Sequence, residues 1–169
     1  VCRENQRAPQ AMNELEQRIH AEIAEKGGIP FSRFMERALY EPRLGYYETQ
    51  REVGRSGDFY TSVSVGSLYG ELLAFQFADW LAEIDGPVQL VEAGAHDGRL
   101  AKDVLTYLRD WRPELFKRCE LILWEPSKIH RQWQGSVLAE FGDKVKWVAE
   151  LKSFNGVFYC NELLDACPV

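Results

Sequence analysis

The stretch 88–111 changes its hydrophobic period halfway along, and this change constrains the fold more than any other feature. Residues 88–91 are an apolar run that suits a buried strand. A glycine-rich turn follows, with Glu92 at its entry and Gly94 and Gly98 within it. Beyond the turn, apolar residues return at helical spacing, at Leu100, Val104, Leu105, Leu108 and Trp111. A strand, a tight loop and a helix in this order predict a socket for a small ligand beyond the carboxyl end of the strand.

The charge of this loop narrows the class of ligand. A dinucleotide fingerprint needs glycines at its first, third and sixth positions, but counting from Gly94 the third and sixth are His96 and Arg99. Glu92 and Asp97 would also repel a pyrophosphate, so a cation fits better. The spacing of the acid and the two glycines resembles the first motif of Rossmann-like methyltransferases, whose cofactor S-adenosylmethionine carries a sulfonium and an ammonium. On this motif alone, an ordinary strand-to-helix turn stays the alternative.

Composition excludes several other classes of protein. With 169 residues, the chain suits one domain with a sizeable core. No apolar run approaches the ~20 residues of a membrane span. A net charge of −6 with scattered Lys and Arg argues against a nucleic-acid surface. The four cysteines, Cys2, Cys119, Cys160 and Cys167, show no metal-ligand spacing, so we expect free thiols, a reducing compartment and no metal.

The N-terminal part is predicted to be helical. Asn13 and Glu16 have the spacing of a capping box, which predicts a helix over 14–26. A second helix is expected over 30–40, because the residue before a proline avoids helical geometry and Pro42 follows. We therefore assign residues 1–50 to an N-terminal helical segment and 51–169 to a larger domain.

Residues 51–67 are rich in Gly, Ser and Thr, which predicts a long loop before the central unit. Asp58 and Thr61 give this loop a composition suited to folding over a polar ligand, with a solvated connection as the alternative. A helix is predicted over 68–82, with its buried side at Leu68, Leu72, Phe75 and Leu81.

Three more strands are predicted after the central unit, at 120–124, 145–148 and 156–160, with a helix over 129–137. Glu125 follows the first of these strands, where an acid can accept both hydroxyls of a ribose; a helix-start role is the alternative. Alternating strands and helices predict an α/β fold with a doubly wound, mostly parallel sheet and helices on both faces.

Several separated motifs together resemble the MidA/NDUFAF-seven family of Rossmann-like methyltransferases. The resemblance covers most of residues 19–169. It is carried by Ile29–Tyr40, Pro42, Gly45–Tyr47, Ser56–Ser62, Tyr69–Ala74, the VEAGAHDGRLAKDVL stretch from Val91, Glu125–Ser127 and the NELLDACPV stretch from Asn161.

The resemblance implies a class I methyltransferase fold that uses S-adenosylmethionine. By position, it implies that Glu92, Gly94, His96 and Gly98 line the methionine end of the cofactor and that Glu125 binds the ribose. Glu150, after the third strand, is the candidate for the adenine amine, and Asp58 and Thr61 belong to the loop over the cofactor.

The resemblance also implies a protein arginine as methyl acceptor. A guanidinium stays charged at neutral pH and needs carboxylates to orient it and accept its hydrogen bonds. Asn161, Glu162 and Asp165, directly after the fourth strand, are the catalytic candidates, with helix-start acids as the alternative reading.

Two features separate this chain from the family pattern. His96 stands where the family more often has glycine, and the chain ends at Val169, whereas relatives continue. We therefore expect the N-terminal portion of a longer enzyme, with a fold truncated after its fourth strand. A catalytically silent assembly or binding module is the alternative function. The expected compartment is the cytoplasm, as for a bacterial protein, with the mitochondrial matrix as the alternative.

Overall fold

The computed structural model describes residues 11–49 and 66–169. The chain divides into two compact units: one ends at Thr49 and includes Cys167–Val169, and the other is Gln50–Ala166. The predicted loop over 51–67 lies almost entirely outside the described residues, and so do Asp58 and Thr61.

The first unit contains helices α1 (Glu14–Lys26), α2 (Phe31–Tyr40) and α3 (Tyr46–Thr49). The helices of the second unit are α4 (Leu68–Ala82), α5 (Arg99–Trp111), α6 (Pro113–Arg118) and α7 (Lys128–Val137). Its strands are β1 (Val88–Ala93), β2 (Cys119–Trp124), β3 (Val145–Val148) and β4 (Gly156–Cys160). Two 3-10 turns cover Ala139–Lys144 and Leu164–Ala166. In the part of the chain that the structure describes, no helix combines the length and the hydropathy needed to cross a membrane.

The predicted capping box at the start of α1 is confirmed. The Asn13 side chain accepts a hydrogen bond from the Glu16 backbone at 2.9 Å, and the Asn13 backbone donates to the Glu16 carboxylate at 2.8 Å. These two bonds satisfy N–H groups that a helix start would otherwise leave without a partner. Gly27, in left-handed conformation, ends the helix where the sequence predicts.

Within the first unit, ion pairs connect α1 to α2. Glu22 is only 8% exposed and accepts hydrogen bonds from Arg33, Lys26 and Arg37, which lower the pKa of its carboxyl to about 2. Arg37 also pairs with Glu41 just beyond α2. Because a nearly buried carboxylate is costly without partners, these cations explain how Glu22 can face α2.

The second unit is built on a parallel sheet with strand order β3-β2-β1-β4. All four predicted strands are confirmed. In the central strand β1, Gln89 lies opposite Glu120 of β2 on one side and Gly156 of β4 on the other. The parallel pairing brings the carboxyl ends of all four strands to one edge of the sheet.

The core lies between one face of the sheet and the helices that flank it. Leu90 of β1 and Leu121 and Leu123 of β2 have no exposed surface, and they belong to the same cluster as the buried side of α5. Four of the five apolar positions predicted for α5 are buried. The fifth, Trp111, is the last residue of the helix and is 68% exposed.

Helix α4 has the predicted bounds but buries a different face. Leu68, Leu72 and Phe75 were expected in the core, yet they are 66%, 61% and 49% exposed. Small residues face α5 instead, and the approach is so close that a Cβ at Gly70 would lie 2.5 Å from the Cβ of Asp103. The buried positions are Gly70, Ala74, Phe77, Ala78 and Leu81.

Candidate functional site

The candidate site lies at the carboxyl edge of the sheet, where the order of the strands reverses. From β1 the chain proceeds to β2 and β3 on one side, and then returns to place β4 on the other side of β1. The loops that leave β1 and β4 therefore lie on either side of this reversal. In open α/β sheets, such a reversal creates the crevice in which ligands bind.

The glycine loop, residues 94–98, connects β1 to α5. Gly94, His96 and Gly98 all have positive φ, at 68°, 46° and 87°. For glycine this conformation has no steric cost, whereas for His96 it is an uncommon one. The loop therefore keeps the tight shape of a ligand-binding turn, although a histidine occupies its centre.

Gly98 also lies where the loop touches α7. A Cβ at this position would be 3.3 Å from the Cα of Gln134 and 3.3 Å from the Cδ1 of Leu138. The Gly98 N–H donates to the carbonyl of Ala95 at 2.8 Å, which closes the turn. The absence of a side chain at Gly98 thus lets the loop pack directly on the helix that follows β2.

Glu92, the acid at the end of β1, is almost completely buried, with 2% of its surface exposed. The hydroxyl of Tyr159 in β4 donates to its Oε2 at 3.0 Å. Burial raises the pKa of Glu92 to about 8; the hydrogen bond from Tyr159 opposes the shift, and the nearby charge of Asp97 adds to it. At neutral pH this carboxyl therefore holds a proton in a large share of molecules.

Glu125 directly follows β2, and its carboxylate is held by residues of the turn and helix that come next. It is 4% exposed, and its Oε1 accepts from the backbone N–H of Ser127 at 2.9 Å. Its Oε2 lies 3.2 Å from Nδ1 of His130 and 3.1 Å from Nε2 of Gln134. A carboxylate has about four acceptor positions, so three are used within the chain and about one is left for a ribose hydroxyl.

The loop that leaves β4 carries the three catalytic candidates. The Asn161 side-chain oxygen accepts from the hydroxyl of Tyr69 in α4 at 3.0 Å. Glu162 is exposed and has a positive φ of 48°, and Asp165 is exposed in the turn that follows. Non-glycine residues with positive φ are uncommon and often mark functional positions, so Glu162 parallels His96 in the neighbouring loop.

The loops after β1 and β4 contact one another. A Cβ at Gly94 would lie 2.6 Å from the Cδ1 of Leu163, so the leucine side chain rests against the glycine backbone. Glu150, after β3, is exposed, and the preceding Ala149 carbonyl accepts from the indole of Trp124 at 3.0 Å. The structure thus brings the loop candidates after β1 and β4 into contact and leaves Glu150 in the loop beyond β3.

Several residues of the site were not predicted from the sequence. Tyr159 lies in a predicted strand and Tyr69 in a predicted helix, and neither was assigned to the site. His130 and Gln134 carry a weak sequence signal, because they are polar residues four positions apart on the buried side of α7. A helix with two polar residues on its buried side needs partners for them, which points to a site.

Potential metal ligands do not gather in the described residues. Across 11–49 and 66–169, no three side chains of His, Cys, Asp or Glu are placed to hold a metal ion. The three cysteines described, Cys119, Cys160 and Cys167, are free thiols. Burial raises the pKa of the Cys119 thiol to about 11, so it is unreactive at neutral pH.

Known proteins share both the sequence and the fold of this chain. A mitochondrial protein arginine methyltransferase NDUFAF7 from Mus musculus is 33% identical over 174 residues, which cover 87% of this chain and 40% of the relative. Its homologue from Drosophila melanogaster is 34% identical over 102 residues, covering 59% of this chain and 23% of the relative. The chain thus spans two fifths or less of these relatives.

A solved structure agrees with these relatives. A COG1565 superfamily member from Burkholderia thailandensis, crystallised bound to S-adenosyl-homocysteine, superimposes with a TM-score of 0.73 at 34% identity, covering 91% of this chain and 42% of that one. The family model described as "Putative S-adenosyl-L-methionine-dependent methyltransferase" matches residues 72–169, which is more than half of the chain. The resemblance predicted from the sequence motifs is thereby confirmed, and the chain belongs to this methyltransferase family.

Proposed function

We propose that this chain forms the cofactor-binding part of an S-adenosylmethionine-dependent methyltransferase that modifies an arginine side chain of a protein. The observation that carries the proposal is the glycine loop, which lies at the reversal of strand order beside the buried acid Glu92. Family membership supports the reaction type. The names of the relatives, which are protein arginine methyltransferases, support the acceptor.

The residues at this edge of the sheet fit a cationic cofactor. Glu92, Asp97 and Glu125 supply carboxylates, and Gly94 is exposed, so a ligand can approach its backbone closely. Asp97 is already engaged: its Oδ2 pairs with the Arg99 guanidinium at 2.9 Å. Glu92, whose proton a bound cation would displace, and Glu125 are therefore the acids that this structure offers to a ligand carrying a sulfonium, an ammonium and a ribose.

The roles that we propose for the individual residues are those that the family resemblance implies. Glu92 and the glycine loop, including Gly94, His96 and Gly98, would hold the methionine end, and Glu125 one ribose hydroxyl. Glu150, exposed beyond β3, would accept from the adenine amine. Asp58 and Thr61, outside the described residues, keep their proposed role in the loop over the cofactor.

The acceptor side of the reaction would use the loop after β4. When bound, the cofactor supplies an electrophilic methyl group on a sulfonium. Glu162 and Asp165 would accept hydrogen bonds from the guanidinium, orient one nitrogen and receive the proton that this nitrogen loses. Asn161 would support the loop, because its side-chain oxygen accepts a hydrogen bond from the hydroxyl of Tyr69 in α4.

A calorimetric titration of S-adenosylmethionine into the 169-residue chain tests the cofactor assignment. We expect the parent to bind and Glu125→Ala to bind about tenfold or more weakly, because a hydrogen bond to a carboxylate contributes about 1.5–3 kcal/mol. Glu120→Ala is the matched control, since Glu120 lies in β2, the strand that Glu125 follows, and pairs with Lys146 at 2.7 Å. A parent chain that takes up neither S-adenosylmethionine nor S-adenosyl-homocysteine would contradict the assignment.

The acceptor assignment needs a separate measurement. We expect Glu162→Ala to keep the parent's cofactor affinity within about twofold, because Glu162 is exposed on the acceptor side. Transfer of a tritiated methyl group to arginine-containing protein should fall at least a hundredfold, because the guanidinium loses its orienting charge. Glu114→Ala, an exposed glutamate on α6, is the control. Cofactor binding without any transfer in the parent would favour the silent assembly module, for which His96 in the glycine loop is the supporting feature.

The names of the relatives bear on the cellular compartment of this protein. The fly and mouse relatives are named mitochondrial, which supports the matrix alternative over the cytoplasm expected first. The Burkholderia thailandensis structure remains consistent with a bacterial cytoplasm. We therefore propose the mitochondrial matrix if the chain comes from a eukaryote, and fractionation of cells expressing a tagged protein would test it.

A further inference from the structure

Gln134 in helix α7 has no exposed surface, and all of its hydrogen-bonding groups are used within the chain. Its Nε2 donates to the His96 carbonyl at 2.9 Å and to Oε2 of Glu125 at 3.1 Å. Its Oε1 accepts from the indole Nε1 of Trp147 at 2.9 Å. One side chain therefore joins the glycine loop after β1, the acid after β2 and strand β3.

The orientation of this amide is fixed by chemistry. The indole of Trp147 can only donate, so it must face the amide oxygen. The His96 carbonyl and the Glu125 carboxylate can only accept, so they must face the amide nitrogen. Rotation of the amide by half a turn would replace all three hydrogen bonds with like-to-like contacts, and burial makes such contacts costly.

The glycine loop also packs against the backbone of Gln134. Gly98 approaches the Gln134 backbone so closely that a Cβ would lie 3.3 Å from its Cα. The hydrogen bond to His96 and the packing at Gly98 fix both the middle and the end of the loop against α7. His96 has an uncommon backbone conformation with a φ of 46°, so a bond to its carbonyl holds the loop at the point where it is strained.

We propose that Gln134 is a positioning residue that sets the distance between the glycine loop and Glu125, and so matches them to the methionine part and the ribose of one cofactor molecule. This inference rests on the proposed cofactor site, because the glycine loop is assigned to the methionine end and Glu125 to the ribose. Gln134 touches both elements but has no surface of its own to offer a ligand. Its effect on binding must therefore be exerted through the two groups that it holds.

Gln134→Met tests the proposal, because methionine keeps the length of the side chain and removes both donors and the acceptor. We expect the cofactor affinity of the 169-residue chain to fall about tenfold or more, since two buried acceptors lose their donor. In the ligand-free protein, the backbone amide signals of Gly94 and Gly98 should shift or broaden, and the indole signal of Trp147 should move. Gln132→Met is the matched control, because Gln132 is exposed on the same helix.

A second variant keeps the test decisive if Gln134→Met does not fold. Trp147 is partly exposed, and Trp147→Phe removes the indole N–H that donates to the Gln134 side-chain oxygen. The two N–H donors of Gln134 stay in place. We expect a loss of about threefold in affinity and a smaller change of the same loop signals. Combined with Gln134→Met, it should add almost nothing, because the two residues share one network.

The outcomes separate the two levels of inference. If the parent binds and Gln134→Met binds equally well, or if Trp147→Phe leaves the loop signals unchanged, the positioning role is wrong and the proposed function stands. If the parent does not bind the cofactor, the proposed function fails. The ligand-free signals of Gly94 and Gly98 then still decide whether Gln134 holds the loop: unchanged signals in Gln134→Met overturn that role as well.

Discussion

Gly156→Ala is expected to destabilise the protein by about 3–5 kcal/mol, which is a large share of the stability of a typical domain. Gly156 begins β4 opposite Gln89 of the central strand. A Cβ here would lie 1.8 Å from the Gln89 carbonyl oxygen and 2.8 Å from its carbonyl carbon. Both atoms belong to the backbone and cannot rotate away, so β4 would have to move away from β1. Urea unfolding followed by far-ultraviolet circular dichroism measures the loss.

The matched control is a second glycine-to-alanine change. Gly135 lies within α7, and a Cβ there would meet no atom within 4 Å. Alanine stabilises a helix interior relative to glycine, so Gly135→Ala should raise the free energy of unfolding by about 0.5–1 kcal/mol. Equal unfolding midpoints for the two variants would show that the close approach at Gly156 does not govern the pairing of β1 and β4.

The stability of the protein should fall as the pH rises between roughly 5 and 8, because of the protonated state of Glu92. In the unfolded chain this carboxyl has its ordinary pKa of 4.5, whereas burial in the folded protein raises it to about 8. Between these values the folded state binds more protons than the unfolded state, so each increase in pH favours unfolding. The slope is at most about 1.4 kcal/mol per pH unit, and it vanishes above the folded pKa.

Glu92→Gln should flatten this dependence, because glutamine mimics the protonated acid and can still accept from the Tyr159 hydroxyl. Urea unfolding at pH 5, 6, 7 and 8 would show the difference in slope. Glu120→Gln serves as the control: the hydrogen bond from Lys146 lowers the pKa of Glu120, so its titration lies below this pH range. A parent whose stability is constant from pH 5 to 8 would mean that Glu92 is already ionised in the folded state.

Much of the fold can be read from local patterns, and helix α4 shows where they fail. The central unit was predicted well because its hydrophobic period changes from a continuous run in β1 to a spacing of three and four in α5. Helix α4 is apolar on nearly all sides, so its period cannot select a face. The face that packs is the one whose small residues, such as Gly70 and Ala74, allow α5 to come close.

Only those residues of the candidate site that lie near strand ends could be predicted from the sequence. Glu92, Gly98 and Glu125 were chosen because they are acids or glycines near the ends of predicted strands, and ligands bind beyond the carboxyl ends of parallel strands. The partners of these residues come from distant elements: Tyr159 from β4 and Gln134 from α7. Such partners depend on which face of an element turns inward and on the exact approach of two backbones, and a single sequence carries little information on either.

The place of β4 beside β1 has a consequence for how the chain folds during synthesis. In this strand order, β1 can pair with β2 once both have been made, and β3 can then add to β2. The other side of β1 gains its partner only when Gly156–Cys160 has been made, so a central, apolar strand waits with an open edge. Pairings between distant residues form slowly, and open edges attract other chains. Nascent chains that stall before β4 should therefore be the species that depends most on chaperones.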